Sequence, residues 1–265
     1  MALTAAYDLE IRQFDVINAF ANAKLPKPMV CACPEGYERQ GHVLWVIMAL
    51  YGLRPSPLYW YKEFTSTLMD LGLHPVPGTL CIYVNSWLTF IFFVDDTFCL
   101  YSTKDTSKMD DFEARLKAKY QLHTIPDANH FLGIRIVRDK PNRKLWLLQD
   151  SYIDKLADKF NITIDKVLKT PLPLQTMAQY KGTATVSQIN GYQQKVGSAI
   201  FSATFTRPDI AKATSDLSRH LQNPGPEQLY AVQHCLHGTK YLALEFDGNK
   251  RGVSTSKELS TSEEY

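Results

Sequence analysis

Two adjacent carboxylates, Asp95 and Asp96, interrupt an otherwise apolar stretch, with one apolar run over 87–94 and a second over 98–101. Short apolar runs on either side of a polar pair read as two strands joined by a tight turn. Like charges side by side on such a turn repel unless water or a cation screens them. The Asp95-Asp96 pair is therefore a candidate divalent-metal site, and the fold must deliver it to solvent or to a ligand.

A third acid, Asp15, lies in Gln13-Phe14-Asp15-Val16-Ile17-Asn18-Ala19-Phe20, at the end of an apolar strand. Taken alone, a strand-end Asp is a cap or turn residue. Facing Asp95 and Asp96 from a neighbouring strand, it would complete a three-carboxylate set. Only tertiary folding can unite them.

The 265 residues, 45% hydrophobic and 21% charged, allow a globular core in one large domain or two small ones. A formal charge of +2 neither demands nor excludes nucleic acid, so any polyanion site must come from local clustering. Arg135, Arg138, Lys140, Arg143 and Lys144, followed by Lys155, Lys159, Lys166 and Lys169, form such a cluster. It reads either as a phosphate-contacting face or as a solvated charged one. Five cysteines, an odd number without paired zinc spacing, point to a reducing compartment. Cys31 and Cys33 share one strand face, and His234, Cys235 and His237 lack a second pair of zinc ligands. Met1-Ala2-Leu3-Thr4 has no basic flank of a signal peptide, and no run approaches the ~20 apolar residues of a membrane helix. A soluble intracellular protein, cytoplasmic or nuclear, with no membrane partner, is expected.

Periodicity predicts helices over 2–11, 58–71, 108–120, 152–160, 186–205, 209–221 and 227–244. A strand running into a short helix or turn is expected over 14–20, and strands over 29–33, 131–137 and 145–149 beside the Asp-Asp hairpin, with a linker at Pro171-Leu172-Pro173 and a disordered tail over 249–265. This order fits an α+β domain with a helical appendage.

The ordered motifs resemble the reverse transcriptases of copia-type long-terminal-repeat retrotransposons. Asp15-Val16 with Ala19-Phe20 is similar to the family's first catalytic motif. Ala49-Leu50-Tyr51-Gly52-Leu53, with Pro57 and Trp60, resembles the next, and Phe93-Val94-Asp95-Asp96 its aromatic-x-Asp-Asp box. Phe131-Leu132-Gly133-Ile134 resembles the following block. Thr206-Arg207-Pro208-Asp209-Ile210, Leu217-Ser218-Arg219 and Gly238-Thr239 resemble the region between polymerase and ribonuclease H. The resemblance implies a palm, an antiparallel sheet with helices on one face, over 1–125. A primer-grip or thumb-like region with a linker over 126–174 and a helical connection region over 175–248 would follow.

It further implies an RNA-directed DNA polymerase using two magnesium ions, or manganese, held by Asp15, Asp95, Asp96 and the Val16 carbonyl. Phe20 would gate the sugar as well as pack, with Ala19, Tyr51 and Gly52 lining the nucleotide pocket. Phe131, Leu132 and Gly133 would hold the primer or simply form a β-turn. The partners would be an RNA or DNA template-primer and dNTP. The family's fingers, with their triphosphate-gripping cations, and its ribonuclease H are not matched here, and Pro55 stands where the family places Gln. Weak or undetectable synthesis by this chain alone and no ribonuclease H activity are therefore expected, unless a partner chain supplies the missing parts. The alternative is an inactive retrotransposon remnant, or a co-opted module that binds nucleic acid or a partner.

Overall fold

The computed structural model describes residues 1–125, 128–162, 170–172, 177–237 and 240–249, and the backbone of 253–258. Before residue 126 the chain forms α1 (Ala2–Tyr7), β1 (Glu10–Val16), β2 (Lys24–Cys31), β3 (Leu44–Met48), α2 (Ser56–Asp70) and β4 (His74–Pro75). It continues through β5 (Ile82–Val84), β6 (Leu88–Phe93), β7 (Asp96–Tyr101), α3 (Thr106–Lys119) and β8 (Leu122–Ile125). Beyond residue 127 come β9 (His130–Phe131), β10 (Ile134–Asp139), β11 (Lys144–Leu148), α4 (Asp150–Phe160) and α5 (Val186–Phe205). The last described elements are α6 (Ala211–Ser218), α7 (Pro226–His237), β12 (Leu242–Asp247) and β13 (Val253–Glu258). This mixture of helices and antiparallel sheets is α+β. It separates into two compact units, Tyr7–Ala128 and Met1–Ala6 with Asn129–Tyr265.

In the unit Tyr7–Ala128, six strands pair antiparallel in the order β4-β5-β6-β7-β1-β8. Alternation along β6 buries Leu88, Phe90 and Phe92 on one face. Trp60, Phe64 and Leu68 recur every fourth residue of α2, the helical spacing that lines up one buried face. Phe64 lies 6.0 Å from Phe90 and 5.1 Å from Phe92, and Phe112 of α3 lies 5.8 Å from Phe90. Both helices thus cover the same face of the sheet. Gly72, with φ 85°, ends α2, and the Gly72 and Leu73 N–H groups donate back to the Met69 and Leu68 carbonyls. β2 and β3 form a separate two-stranded ribbon.

The other unit carries an antiparallel sheet in the order β13-β12-β11-β10-β9. Its helices α5, α6 and α7 enclose Tyr192, Val196, Leu217, Val232 and Cys235. A reciprocal capping box between Thr185 and Gln188 starts α5. Gly248 permits close approach of α1, because a Cβ there would collide with the Ala5 carbonyl.

Three sequence expectations change. The helix over 2–11 stops at Tyr7, since Asp8 has φ 49° and Ile11 instead pairs with Leu100 in the sheet. The helix over 227–244 ends at His237, because Leu242–Asp247 is taken up by pairing with β11. The helical connection region expected over 175–248 thus includes a strand. The tail expected to be disordered carries β13, whose backbone pairs along the otherwise open edge of β12. Pro173, Lys166, Lys169, Gly238, Thr239, residues 250–252 and residues 259–265 lie outside the described residues. Among the described residues, no helix is long and apolar enough to cross a membrane.

The aromatic layer between α2 and the sheet should dominate the stability of its unit. Phe64→Ala is expected to cost about 3–5 kcal/mol in denaturant unfolding. A loss below about 1 kcal/mol would show that Phe64 is not central to that core.

Candidate active site

Register places the acids. In the β1–β7 ladder Phe14 pairs with Thr97 and Asp15 with Asp96. Directly paired residues of antiparallel strands project from the same face, so these two carboxylates are cross-strand neighbours. On its other side Asp15 pairs with His123 of β8, which makes a row of His123, Asp15 and Asp96 across three strands. The Val16 N–H donates to the Asp95 carbonyl at 3.0 Å, and the buried Thr97 hydroxyl donates to the Phe14 carbonyl at 3.1 Å. These bonds fasten the end of the hairpin to β1.

The sequence suggests both acids in the turn, but Phe93 pairs with Asp96, which leaves Val94 and Asp95 as the two turn residues. Asp96 is already the first residue of β7. Val94 has φ 59°, the positive value that a two-residue hairpin of the II′ pattern requires at its first position and that glycine normally supplies. A β-branched residue held there costs on the order of 1–3 kcal/mol. Trp60 Nε1 donates to the Val94 carbonyl at 2.7 Å.

Burial raises the Asp96 pKa above the ordinary carboxylate value; the charges of Asp95 and then Asp15 add to it, and the Gln13 amide partly offsets them. None of the three acids has a Lys or Arg within salt-bridge distance among the described residues. The Tyr51 hydroxyl is raised by burial and then by Asp95 and Asp15, so it sits within their field. Its ring packs 4.5 Å from that of Phe20. Phe20 and Ala19 are buried in the core beside Val16. Gly52 has φ 92° in the turn that Ser56 braces, its Oγ donating to the Leu50 carbonyl at 2.6 Å and accepting from the Leu50 N–H at 3.1 Å. Pro55 has no side-chain donor or acceptor, and its carbonyl accepts from the Leu58 and Tyr59 N–H groups at the start of α2, as any residue there would.

Asp15, Val16, Phe20, Tyr51, Asp95 and Asp96 therefore share one neighbourhood, with Ala19 and Gly52 adjoining along the chain. Phe131, Leu132 and Gly133 belong to the other unit. They form the β9–β10 hairpin, where Leu132 (φ 51°) and Gly133 (φ 77°) supply the two positive φ values of a I′ turn. Part of the basic cluster has internal partners: Arg135 pairs with Asp150 at 2.6 Å, Lys144 with Glu245 at 3.8 Å, and Arg143 donates to the Ala6 carbonyl. Those three cations are engaged within their own unit.

Gln13, His123 and the bond from Trp60 were not singled out by sequence reasoning. Two-residue spacing from Asp15 was a usable signal for Gln13. Nothing local signals His123 or the reach of Trp60, since both depend on tertiary pairing. Among the described residues, no group of three or more His, Cys, Asp or Glu side chains stands preassembled as a metal cage. The opposed Asp15 and Asp96 with Asp95 beside them nevertheless form an all-oxygen donor set with no Lys or Arg partner among the described residues. That chemistry fits a hard divalent cation.

Because the folded Asp96 pKa is raised, the native state binds more protons than the unfolded one between the ordinary and the raised value. Stability therefore falls as pH rises through that window. Asp96→Asn should raise stability at neutral pH in divalent-free buffer by less than about 1 kcal/mol, the group being partly solvated. The gain should vanish below the window. An Asn variant no more stable than the parent at pH 7 would contradict this.

Comparison with known proteins gives the family to which the chain is similar. Residues 1–173 match the family described as reverse transcriptase (RNA-dependent DNA polymerase). The chain is 32% identical to the retrovirus-related Pol polyprotein from transposon TNT 1-94 of Nicotiana tabacum, across 94% of this chain and 20% of that protein. It is 30% identical to the corresponding polyprotein from transposon RE1 of Arabidopsis thaliana, across 88% of this chain and 16% of that protein. Identity to the putative transposon Ty5-1 protein of Saccharomyces cerevisiae is 28%, across 88% of this chain and 78% of that protein. The chain thus spans a fifth or less of the two plant polyproteins. With the family matched over most of its length and its similarity running to transposon polyproteins, this chain belongs to the reverse transcriptase (RNA-dependent DNA polymerase) family, as a copia-type retrotransposon reverse transcriptase region.

Proposed function

We propose that the chain is the palm and following connection region of an RNA-directed DNA polymerase, which extends a primer 3′-hydroxyl with deoxynucleotides on a nucleic-acid template. The observation that carries this reading is the cross-strand pairing of Asp15 with Asp96 at the Val94-Asp95 turn. Asp15, Asp95, Asp96 and the Val16 carbonyl would hold magnesium or manganese. Such ions, when bound, lower the pKa of the primer hydroxyl and neutralise charge on the triphosphate. The carboxylates would supply the hard oxygen ligands that orient such ions, which is this chain's own contribution to a preorganised site.

Phe20, buried and packed on Tyr51, is rigid enough to exclude a 2′-hydroxyl by contact. Tyr51 and the adjoining Gly52 would receive the nucleotide, Gly52 by allowing close backbone approach. Phe131, Leu132 and Gly133 are assigned to primer binding. Template-primer and dNTP are the partners, with fingers or ribonuclease H supplied by another polypeptide segment.

Primer extension on poly(rA)/oligo(dT) with magnesium or manganese tests the reading. Weak, chelator-sensitive synthesis is expected, falling at least about 100-fold in Asp95→Asn and Asp15→Asn. Synthesis that survives both substitutions would refute the assignment of the acids. Template-primer binding with no synthesis would favour the non-catalytic binding module instead. Phe20→Val should raise ribonucleotide incorporation by about tenfold or more relative to deoxynucleotide; unchanged sugar selectivity would remove Phe20 from the gate.

A further inference from the structure

Trp60 is 1% exposed, stacked on Phe64 at 4.8 Å and edge-on to Tyr120 at 5.4 Å. An indole fixed in this way has one polar atom to satisfy, and a buried donor without a partner is costly. Its Nε1 goes to the Val94 carbonyl, in the two-residue turn that contains Asp95. The next carbonyl along the chain, that of Asp95, accepts from the Val16 N–H. Two successive peptide groups of the turn are thus held by different elements, α2 and β1. Two anchored peptides leave the residue between them little freedom, and that residue is Asp95.

The backbone of Val94 gives this clamp a load. At φ 59° a β-branched residue would relax out of the left-handed region if nothing opposed it. Relaxation of Val94 would swing Asp95 away from Asp15 and Asp96. We infer that Trp60 is a positioning residue whose indole N–H holds the strained Val94-Asp95 turn, so that Asp95 stands against Asp15 and Asp96. The inference rests on the proposed role of those acids in metal binding and nucleotidyl transfer.

The test compares the purified chain with Trp60→Phe, which keeps an aromatic ring on Phe64 and removes the N–H. Three quantities are read: the unfolding midpoint, Mn2+ affinity by calorimetry, and the backbone NMR shifts of Val94 and Asp95. Mn2+ affinity is expected to weaken about 10–100-fold, as for other groups that orient metal ligands. The Val94 shifts should lose their left-handed signature. In primer extension kcat should fall with little change in KM for dNTP. Trp60→Phe/Val94→Gly should recover most of the lost affinity, because glycine adopts positive φ without strain.

A purely structural role would lower the unfolding midpoint while leaving Mn2+ affinity and the Val94 shifts unchanged, and that result would overturn the inference. So would a double variant that binds no better than Trp60→Phe. Should Trp60→Phe fail to fold, replacing the Trp60 indole by benzothiophene removes the N–H at nearly constant shape, and the same criteria apply. A parent chain that binds no Mn2+ would refute the metal reading alone; the Val94 and Asp95 shifts would still decide the role of Trp60.

Discussion

Antiparallel pairing of β1 with β7 brings two carboxylates, Asp15 and Asp96, to adjacent positions on a sheet whose helix-covered face is packed with aromatic rings. The two faces explain each other. Phe14 and Val16 alternate with Asp15 along β1 and are buried in the aromatic core. A slip of one residue would send the acid into the rings and the rings outward. Burying such side chains contributes about 1.5–3 kcal/mol each, more than repulsion between two partly solvated carboxylates can offset. The core thus imposes a like-charge pair that the fold would not otherwise favour.

The same trade recurs one step along the chain. Asp95 enters the set only because the hairpin closes in two residues, and that closure forces Val94 to positive φ. A longer turn would relieve the strain and carry Asp95 away from β1. The fold keeps the short turn by anchoring both of its carbonyls, one to the buried Trp60 and one to Val16. Charge concentration and backbone strain are both tolerated at the point where chemistry is proposed.

Much of this was legible in the sequence because it is periodic or local. The four-residue spacing of Trp60, Phe64 and Leu68 announces α2, and the apolar runs flanking Asp95 announce the hairpin. Ordered motifs then pointed to the family that comparison shows. What escaped was set by partners distant in the chain. Residues 9–11 look helical alone, but Glu10 and Ile11 are captured by the edge that β7 offers, and Leu244 is captured likewise by β11. Assignment of Asp96 to the strand and not the turn depends on register with Phe93, which composition does not encode. The row of His123, Asp15 and Asp96 joins three separate segments, so no local pattern could contain it.

The central claim is the proposal that the fold gathers three carboxylates, without a Lys or Arg partner among the described residues, to hold a divalent cation. Its most direct measurement is the pKa of the Asp96 side-chain carboxyl, followed by carbon-13 NMR without and with magnesium. In divalent-free buffer it should lie above the ordinary aspartate value, and magnesium should bring it down as the cation replaces the proton. An Asp96 that titrates at the ordinary value, or one that ignores saturating magnesium, would contradict the claim.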